Sequence, residues 1–104
     1  MSGYTKQGNL QKSITATTYT IINDDNKYTL IFSNVSGCAV TLDLLTTDNF
    51  ECSFYNDNTG DVTFSDGTAP GSYIDGTILE QDKAAALIKV EDTDVYKFKG
   101  ELTT

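Results

Sequence analysis

The sequence predicts an all-β fold, a single antiparallel β-sandwich that is jelly-roll-like and has about eight strands. Its 104 residues are enough for one domain and too few for two independent cores. Thr, Val, Ile, Tyr and Phe, which suit a pleated surface, are common along the chain. Short runs of alternating apolar and polar residues are separated by turn residues at intervals of about 8–12 positions, which is typical of a sandwich or barrel.

The strands follow in order from this alternation. Residues 1–12 have no periodicity and predict an extended, flexible N-terminal arm, so the predicted domain covers residues 13–104. Each later run ends at a polar or glycine-containing turn. The predicted strands are residues 13–22, 27–34, 38–45, 50–55, 61–65, 73–79, 84–91 and 95–102. No internal repeat is evident.

Residues 84–91 allow two interpretations. Their Ala-Ala-Ala-Leu stretch favours a helix by composition. Ala86, Ile88 and Val90, however, recur at every second position, and the segment ends in β-branched residues. We therefore predict a strand. The last strand has the clearest alternation, and it places Phe98 on the core face.

The two cysteines, Cys38 and Cys52, fall in the apolar phase of their strands. They form no C-x-x-C motif, which makes a zinc or redox site unexpected. Residues 1–12 lack the apolar run of a signal peptide, and no stretch approaches the roughly 20 apolar residues of a membrane span. We expect production in a reducing cytosol. Two buried thiols are favoured over a disulfide there.

The charge of the chain excludes several function classes. Fifteen acids and seven lysines give a net charge of −8, with no Arg and no His. Binding to nucleic acid or to an anionic membrane is therefore not expected. Without histidine, Ser-His-Asp and Cys-His catalysis and histidine metal ligation are impossible. Composition alone leaves open a glycosidase-type carboxylate pair, but the acids lie mostly in turns of a small chain. We predict no enzyme activity, no cofactor and no metal.

Two weaker candidate sites remain. Residues 56–61 carry oxygen donors, but their spacing does not match the calcium loop, so we predict a solvated turn. Tyr4, Tyr55 and Tyr73 could be exposed and could bind carbohydrate; we favour rim or interface tyrosines. No phosphate-binding glycine loop occurs.

The order of motifs along the chain carries a family resemblance. Residues 18–34, TYTIINDDNKYTLIFSN, are followed by Val-Thr-Leu at 40–42 and by FECSFYNDNTGDVTF at 50–64. Ile-Asp-Gly follows at 74–76, and AAALIKVEDTDVYKFKGELTT ends the chain at 84–104. From about Tyr19 onward the chain resembles a β-rich module that recurs in tailed-bacteriophage virion proteins, including head-decoration and tail-fibre proteins. One departure is Leu44-Leu45, where the module usually has Leu-Pro.

The resemblance implies a virion structural role, often as a symmetric oligomer, and brings no catalytic residues. A nearly free-standing copy preceded by a short arm fits a capsid decoration (cement) protein that binds and stabilises the head shell. We expect a homo-oligomer, trimer or dimer, bound to the major capsid protein or another virion protein after assembly in the host cytoplasm. The arm would grip the shell or a neighbouring subunit, with Tyr4, Leu10 and Ile14 at the interface.

Two other non-enzymatic functions remain open. One is a tail-fibre or baseplate module that contacts host glycans or a receptor. The other is a β-sandwich adhesion or carbohydrate-binding domain unrelated to phages, which a secretory signal would favour.

Overall fold

The computed structural model describes residues 10–104, which contain ten β-strands and one short 3₁₀ turn. The strands are β1 (Leu10–Ile14), β2 (Thr18–Ile21), β3 (Tyr28–Phe32), β4 (Cys38–Leu42), β5 (Glu51–Asn56), β6 (Val62–Asp66), β7 (Gly71–Tyr73), β8 (Ile78–Leu79), β9 (Ala84–Lys89) and β10 (Tyr96–Gly100). The 3₁₀ turn, Asn23–Asp25, lies between β2 and β3. The all-β prediction is confirmed, and residues 84–89 form the expected strand.

The strand count exceeds the predicted eight because two predicted runs are each divided. The run at 13–22 is interrupted by a bend at residues 15–17, which separates β1 from β2. The run at 73–79 contains β7's last residue and β8, separated by a bend that includes Gly76 at φ 137°. Both bends let the chain pass from one sheet to the other, which a single long strand could not do.

The strands are arranged in two mixed sheets. Sheet A has the order β1-β3-β5-β9-β10-β7, and sheet B has the order β2-β4-β6-β8. Strands β1 to β6 alternate between the two sheets. Each strand from β3 to β6 pairs in parallel with the strand two positions earlier in the chain, which lies in the same sheet. We call each turn through both sheets a rung: β1 with β2, β3 with β4, and β5 with β6. The rungs stack as a short two-sheeted solenoid.

The predicted antiparallel jelly roll is therefore wrong in strand direction for this half of the molecule. An alternation of apolar and polar residues has the same period in parallel and antiparallel strands, so it cannot distinguish them. Direction depends on the connections, and here they cross between sheets instead of making hairpins. Within the described residues, the antiparallel pairs are β5 with β9, β9 with β10, and β6 with β8, together with an isolated bridge between Ile78 and Thr103.

The second and third rungs are in register over both sheets. Leu30 lies opposite Phe54 in sheet A, and Val40 lies opposite Phe64 in sheet B, an interval of 24 residues in each case. The expectation of no internal repeat is thus corrected. The repeat is hard to see because equivalent positions seldom keep the same residue or even its polarity: Phe32 corresponds to Asn56, and Leu42 to Asp66. The first rung also uses shorter intervals, 18 residues from Leu10 to Tyr28 in sheet A.

The same corner contact recurs in successive rungs. The side-chain amide of Asn34 donates to the carbonyl of Thr15 at 2.8 Å, and that of Asn58 donates to the carbonyl of Ser33 at 2.9 Å. In each case the acceptor belongs to the preceding rung. Gly37 allows the close approach at this corner: its φ is +84°, and a Cβ there would lie 2.2 Å from the carbonyl oxygen of Asp61.

The core lies between the two sheets and is built on phenylalanine. Phe54 of sheet A is fully buried, and its ring centroid lies 4.8 Å from that of Phe64 in sheet B. Phe98 of β10 lies 6.0 Å from Phe54 and 5.2 Å from Phe64, so one cluster joins both sheets. Each such side chain contributes about 1.5–3 kcal/mol by burial.

Both cysteines are free and buried, as predicted, with Cys38 in sheet B and Cys52 in sheet A. Burial raises the pKa of each thiol above its ordinary value. The thiols therefore act as small apolar side chains.

The predicted boundary between arm and domain, after residue 12, falls inside β1. Residues 10–12 pair with β3, so they belong to the first rung. The remainder of the predicted arm, residues 1–9, lies outside the described residues.

Candidate functional site

The three residues predicted at an interface have different positions. Tyr4 lies outside the described residues. Leu10 begins β1 and is 49% exposed, so it is available for contact. Ile14, at the end of the same strand, is 5% exposed and belongs to the core cluster. In the single chain Ile14 anchors the first rung to the core and offers no surface.

The first rung has an unpaired strand edge in each sheet. Among residues 10–104, β1 pairs with β3 alone and β2 pairs with β4 alone. Both edges lie at the same end of the stacked rungs, and we call β1 and β2 together the open end. The edges at the opposite side of the sheets belong to β7, with three residues, and β8, with two. The open end therefore presents the longer edges.

In β1 the outward backbone groups are those of Gln11 and Ser13. The carbonyl of Ile14 accepts a hydrogen bond from the amide of Ser33, at 3.1 Å, just beyond β3. Because the N–H and C=O of one strand residue point to the same side and alternate along the strand, the groups of residues 10, 12 and 14 face β3. The groups of Gln11 and Ser13 then face the open edge.

The same reasoning applies to β2. The carbonyl of Thr17 accepts from the amide of Ala39, the first step of the ladder with β4, at 2.8 Å. The backbone groups of alternate residues, Tyr19 and Ile21, therefore also face β4. Those of Thr18 and Thr20 face the open edge. Each sheet thus offers two donors and two acceptors along this end.

A buried carboxylate ties the two strands of the open end together. Asp25 is fully buried, and its Oδ1 lies 2.6 Å from the Nζ of Lys12 in β1. The hydroxyl of Tyr19 in β2 lies 2.8 Å from both carboxylate oxygens, and the amide of Ile22 donates to Oδ2 at 3.0 Å. The carboxylate therefore has three donors around it, which is what a buried charge requires.

This cluster changes the ionisation of its members. The hydrogen bond to Asp25 raises the pKa of Lys12. Burial, followed by the hydrogen bond to Asp25, raises the pKa of Tyr19. Lys12 stays charged and Tyr19 stays neutral at ordinary pH. The arrangement holds the first rung in place.

The open end lies in the longest acid-free stretch of the sequence. The first acid in the sequence is Asp24, so residues 1–23 contain two lysines and none of the fifteen acids. Of those two lysines, Lys12 is neutralised by Asp25. Repulsion between like charges is therefore low at this end of a protein whose net charge is −8.

A groove of about 490 Å³ crosses the outer face of sheet A. Thr29, Ser53 and Ala86 lie side by side across three strands, and their small side chains leave the space. An ion pair between Lys27 and Glu51, at 3.7 Å, lines the same groove, and both partners are more than half exposed. The groove therefore offers hydroxyl groups, one charge of each sign and a small apolar patch.

Comparison with known proteins places this chain in no established group. The sequence matches no protein-family model and no curated protein, and no solved structure matches. The open end, the groove and the distribution of charge are the features that bear on its function.

The tyrosines considered for carbohydrate binding do not share one patch within residues 10–104. The hydroxyl of Tyr55 donates to Asp82 at 3.0 Å on the outer side of sheet A. Tyr73 donates to Asp66 at 2.7 Å, and its ring stacks on Phe98 with centroids 4.9 Å apart. Tyr73 therefore packs against the core.

The turn at residues 56–61 serves the fold. The side-chain amide of Asn56 donates to the carbonyls of Gly60 and Leu79, at 2.7 and 2.9 Å. In the described part of the chain, no three His, Cys, Asp or Glu side chains are grouped to hold a metal ion. Nor does that part include a helix with the length and hydropathy to cross a membrane.

Sequence reasoning missed the open end because it requires the strand order. One signal was present, since a charge difference between two parts of a chain often marks an interaction region. Here the missing acids before Asp24 mark the rung whose edges are unpaired among the described strands. Chemically, this end can form main-chain hydrogen bonds to another strand in each sheet.

Proposed function

We propose that this chain is a non-enzymatic virion structural protein, a capsid decoration (cement) protein that binds and stabilises the head shell. The observation that supports this most is the open end, where two strand edges lie on one side of a folded domain. An exposed edge of this kind is a template for association through main-chain hydrogen bonds. The resemblance of residues 84–104 to the phage module supports the same role.

The physical properties of the chain suit an assembly in which many copies are crowded together. The acids are spread over turns in the rest of the chain, and their charge opposes nonspecific aggregation at high local concentration. The edge strands are held by the core through Ile14 and by Asp25, so little ordering is needed on binding. Preorganisation of this kind lowers the entropic cost of association.

The partner in this proposal is the major capsid protein or another virion protein, joined in the host cytoplasm. The test is co-sedimentation of purified protein with heads that lack it, over a concentration series. We expect saturable binding and a higher melting temperature of the decorated shell, because a ligand of the folded state stabilises it. An absence of co-sedimentation at any concentration would exclude the decoration role.

A second candidate is a tail-fibre or baseplate module that contacts host glycans, and the groove on sheet A favours it. Its volume, about 490 Å³, lies within the range of about 300–1,000 Å³ that is usual for small-ligand sites. A glycan array probed with the purified protein tests this function. Ser53→Arg would fill the groove and should abolish any glycan signal. Thr63→Arg, on the outer face of sheet B in the same rung, is the matched control.

A further inference from the structure

We infer that the open end is occupied by the open end of a second copy of this chain, so that two copies form a two-fold dimer with continuous sheets. The inference rests on the proposed assembly function and assigns the open end to the contact between copies, so that another surface of the dimer would bind the shell. β1 would pair antiparallel with β1 of the second copy, and β2 with its β2.

Charge favours this contact over others between two copies. Each copy carries a net charge of −8, so most pairs of surfaces repel. Residues 10–22, which form the first rung, contain no acid, and Lys12 is already paired with Asp25 at 2.6 Å. Two open ends can therefore approach without bringing two unpaired like charges together.

The geometry of the rung allows both sheets to pair at once. A two-fold axis perpendicular to the sheets keeps each sheet in its own plane and reverses its strands, which gives antiparallel pairs. The axis must pass through matching points of β1 and β2. Lys12, in the middle of β1, and Tyr19, in β2, are such matching points, because their side chains contact the same carboxylate of Asp25 between the two sheets.

The outward backbone groups are complementary in the same arrangement. With the axis near Lys12 and Tyr19, Gln11 of one copy faces Ser13 of the other, and Thr18 faces Thr20. All four residues direct N–H and C=O to the edge, and facing residues of this kind exchange two hydrogen bonds. The pairing would also cover the exposed side chain of Leu10.

The alternative contact, an open end stacked on the opposite edges, is disfavoured by length. β7 and β8 have three and two residues, whereas β1 and β2 have five and four. Such a head-to-tail contact would also leave a new open end and propagate as a fibre. The two-fold contact closes on itself.

The first experiment measures mass in solution by light scattering after size exclusion, over a dilution series. We expect twice the 11.3 kDa of one chain at micromolar concentration. The double variant Ser13→Pro, Thr18→Pro removes edge donors that make no hydrogen bond within residues 10–104, and proline is tolerated at such positions. It should stay folded and weaken dimerisation by about 100-fold or more. Ala16→Pro, in the exposed bend between the two strands, is the control and should stay dimeric.

The second experiment follows amide exchange of the unmodified protein by NMR at high and low concentration. The amides of Ser13 and Thr20 should be protected in the dimer and exposed on dilution, whereas that of Tyr19 should change little. This measurement does not depend on how the proline variants fold. Equal exchange of Ser13 at both concentrations would contradict the pairing.

Three results would overturn the inference. They are a monomer at all concentrations, a dimer that survives the double proline variant, and a dimer that appears after deletion of residues 2–9. The last would mean that the chain's own N-terminal segment occupies the edge. The proposed function is judged separately by head binding: a monomer that decorates heads removes the inference alone, and a dimer that binds no heads removes the function alone.

Discussion

The rungs and the C-terminal strands are built from the same kinds of residue but differ in the direction of strand pairing. In the three rungs, β1 to β6, neighbouring strands within each sheet are parallel and come from successive rungs. In the remaining part, which we call the cap and define as β7 to β10, β8 and β9 pair antiparallel with the last rung. Strand direction reverses where the cap meets the third rung, and the edge strands of the cap, β7 and β8, have three and two residues.

The three rungs repeat one stacked arrangement, and the cap ends the stack. Stacked repeats depend mainly on contacts with their neighbours, and a terminal unit needs a cap to remain soluble. Short edges are one of the ways in which natural sheets avoid unwanted pairing. The cap therefore closes the third rung, while the first rung keeps the longer edges. The two ends of the molecule are thus expected to differ in stability and in binding.

The largest effect is expected in the cap, at Phe98. Its ring is fully buried and lies within 6.0 Å, centroid to centroid, of Phe54, Phe64 and Tyr73. Phe98→Asp should prevent folding, because an unpaired buried charge costs as much as the whole stability of a small domain. Circular dichroism in a urea titration measures this. Lys97→Asp, on the outer side of the same strand, should stay folded.

A folded Phe98→Asp protein would show that the Phe98 side chain does not lie in the core that the cap shares with the third rung.

The next effect concerns the open end. Asp25→Ala leaves the ammonium of Lys12, the hydroxyl of Tyr19 and the amide of Ile22 without their acceptor. We expect a loss on the order of 3 kcal/mol, with faster amide exchange in β1 and β2 than in the cap. The exposed neighbour Asp24 provides the control, since Asp24→Ala should change stability by less than about 0.5 kcal/mol. Uniformly faster exchange in all strands would indicate that the open end is no separate unit.

A smaller effect tests the equivalence of the rungs. Asn34→Ala and Asn58→Ala each remove an amide that bonds a carbonyl of the preceding rung. Each should cost about 0.5–1.5 kcal/mol. The two losses should be coupled, because Asn58 bonds the carbonyl of Ser33, the neighbour of Asn34. Denaturant midpoints of the two single variants and the double variant measure this. An unchanged denaturant midpoint at one site would show that the corner contact does not contribute to stability there.

The smallest effect is expected at alkaline pH and in both regions. Burial raises the pKa of Cys52, whose ordinary value is 9.0, and that of Tyr19 and Tyr73, whose ordinary value is 10.0. Above those values the unfolded chain loses protons that the folded chain keeps, so stability falls as pH rises. Stability should be level from pH 7 to 8 and lower by about 1 kcal/mol near pH 10.

Urea titrations at several pH values check this prediction, and Cys52→Ala should delay the onset of the loss. Stability that rose above pH 9 would contradict the direction of the shifts.

The faces of individual strands were predictable from the sequence because burial follows the period of two. Phe54 and Phe98 point inward as the alternation indicates, and the buried state of Cys38 and Cys52 follows from the same pattern. β9 is an exception, because the phase of Ala86 and Ile88 that predicted this strand faces outward, with Ile88 42% exposed. Lys89 occupies an inward position, is 3% exposed, and its ammonium lies 3.3 Å from the carbonyl of Thr47. A long-range acceptor of this kind leaves no mark in the local pattern.

Strand direction and the open end were not predictable in the same way. Parallel stacking depends on where each connection leads, and the bend at residues 15–17 that sends β2 to the second sheet has no strong turn residues. Ile14 was predicted at an interface, and in the single chain it is 5% exposed within the core cluster. The shape of the groove likewise depends on which small side chains become neighbours across three strands.

The 24-residue register between the second and third rungs also bears on how chains of this design can vary in length. Duplicating residues 27–50 would insert a whole rung and raise the stack by the spacing of one strand, about 4.8 Å, while the cap and the open end kept their own contacts. The shorter interval at the first rung, 18 residues in sheet A, implies that the corners absorb small differences. Height in this architecture can therefore change in discrete steps, and insertions of other sizes are confined to the corners.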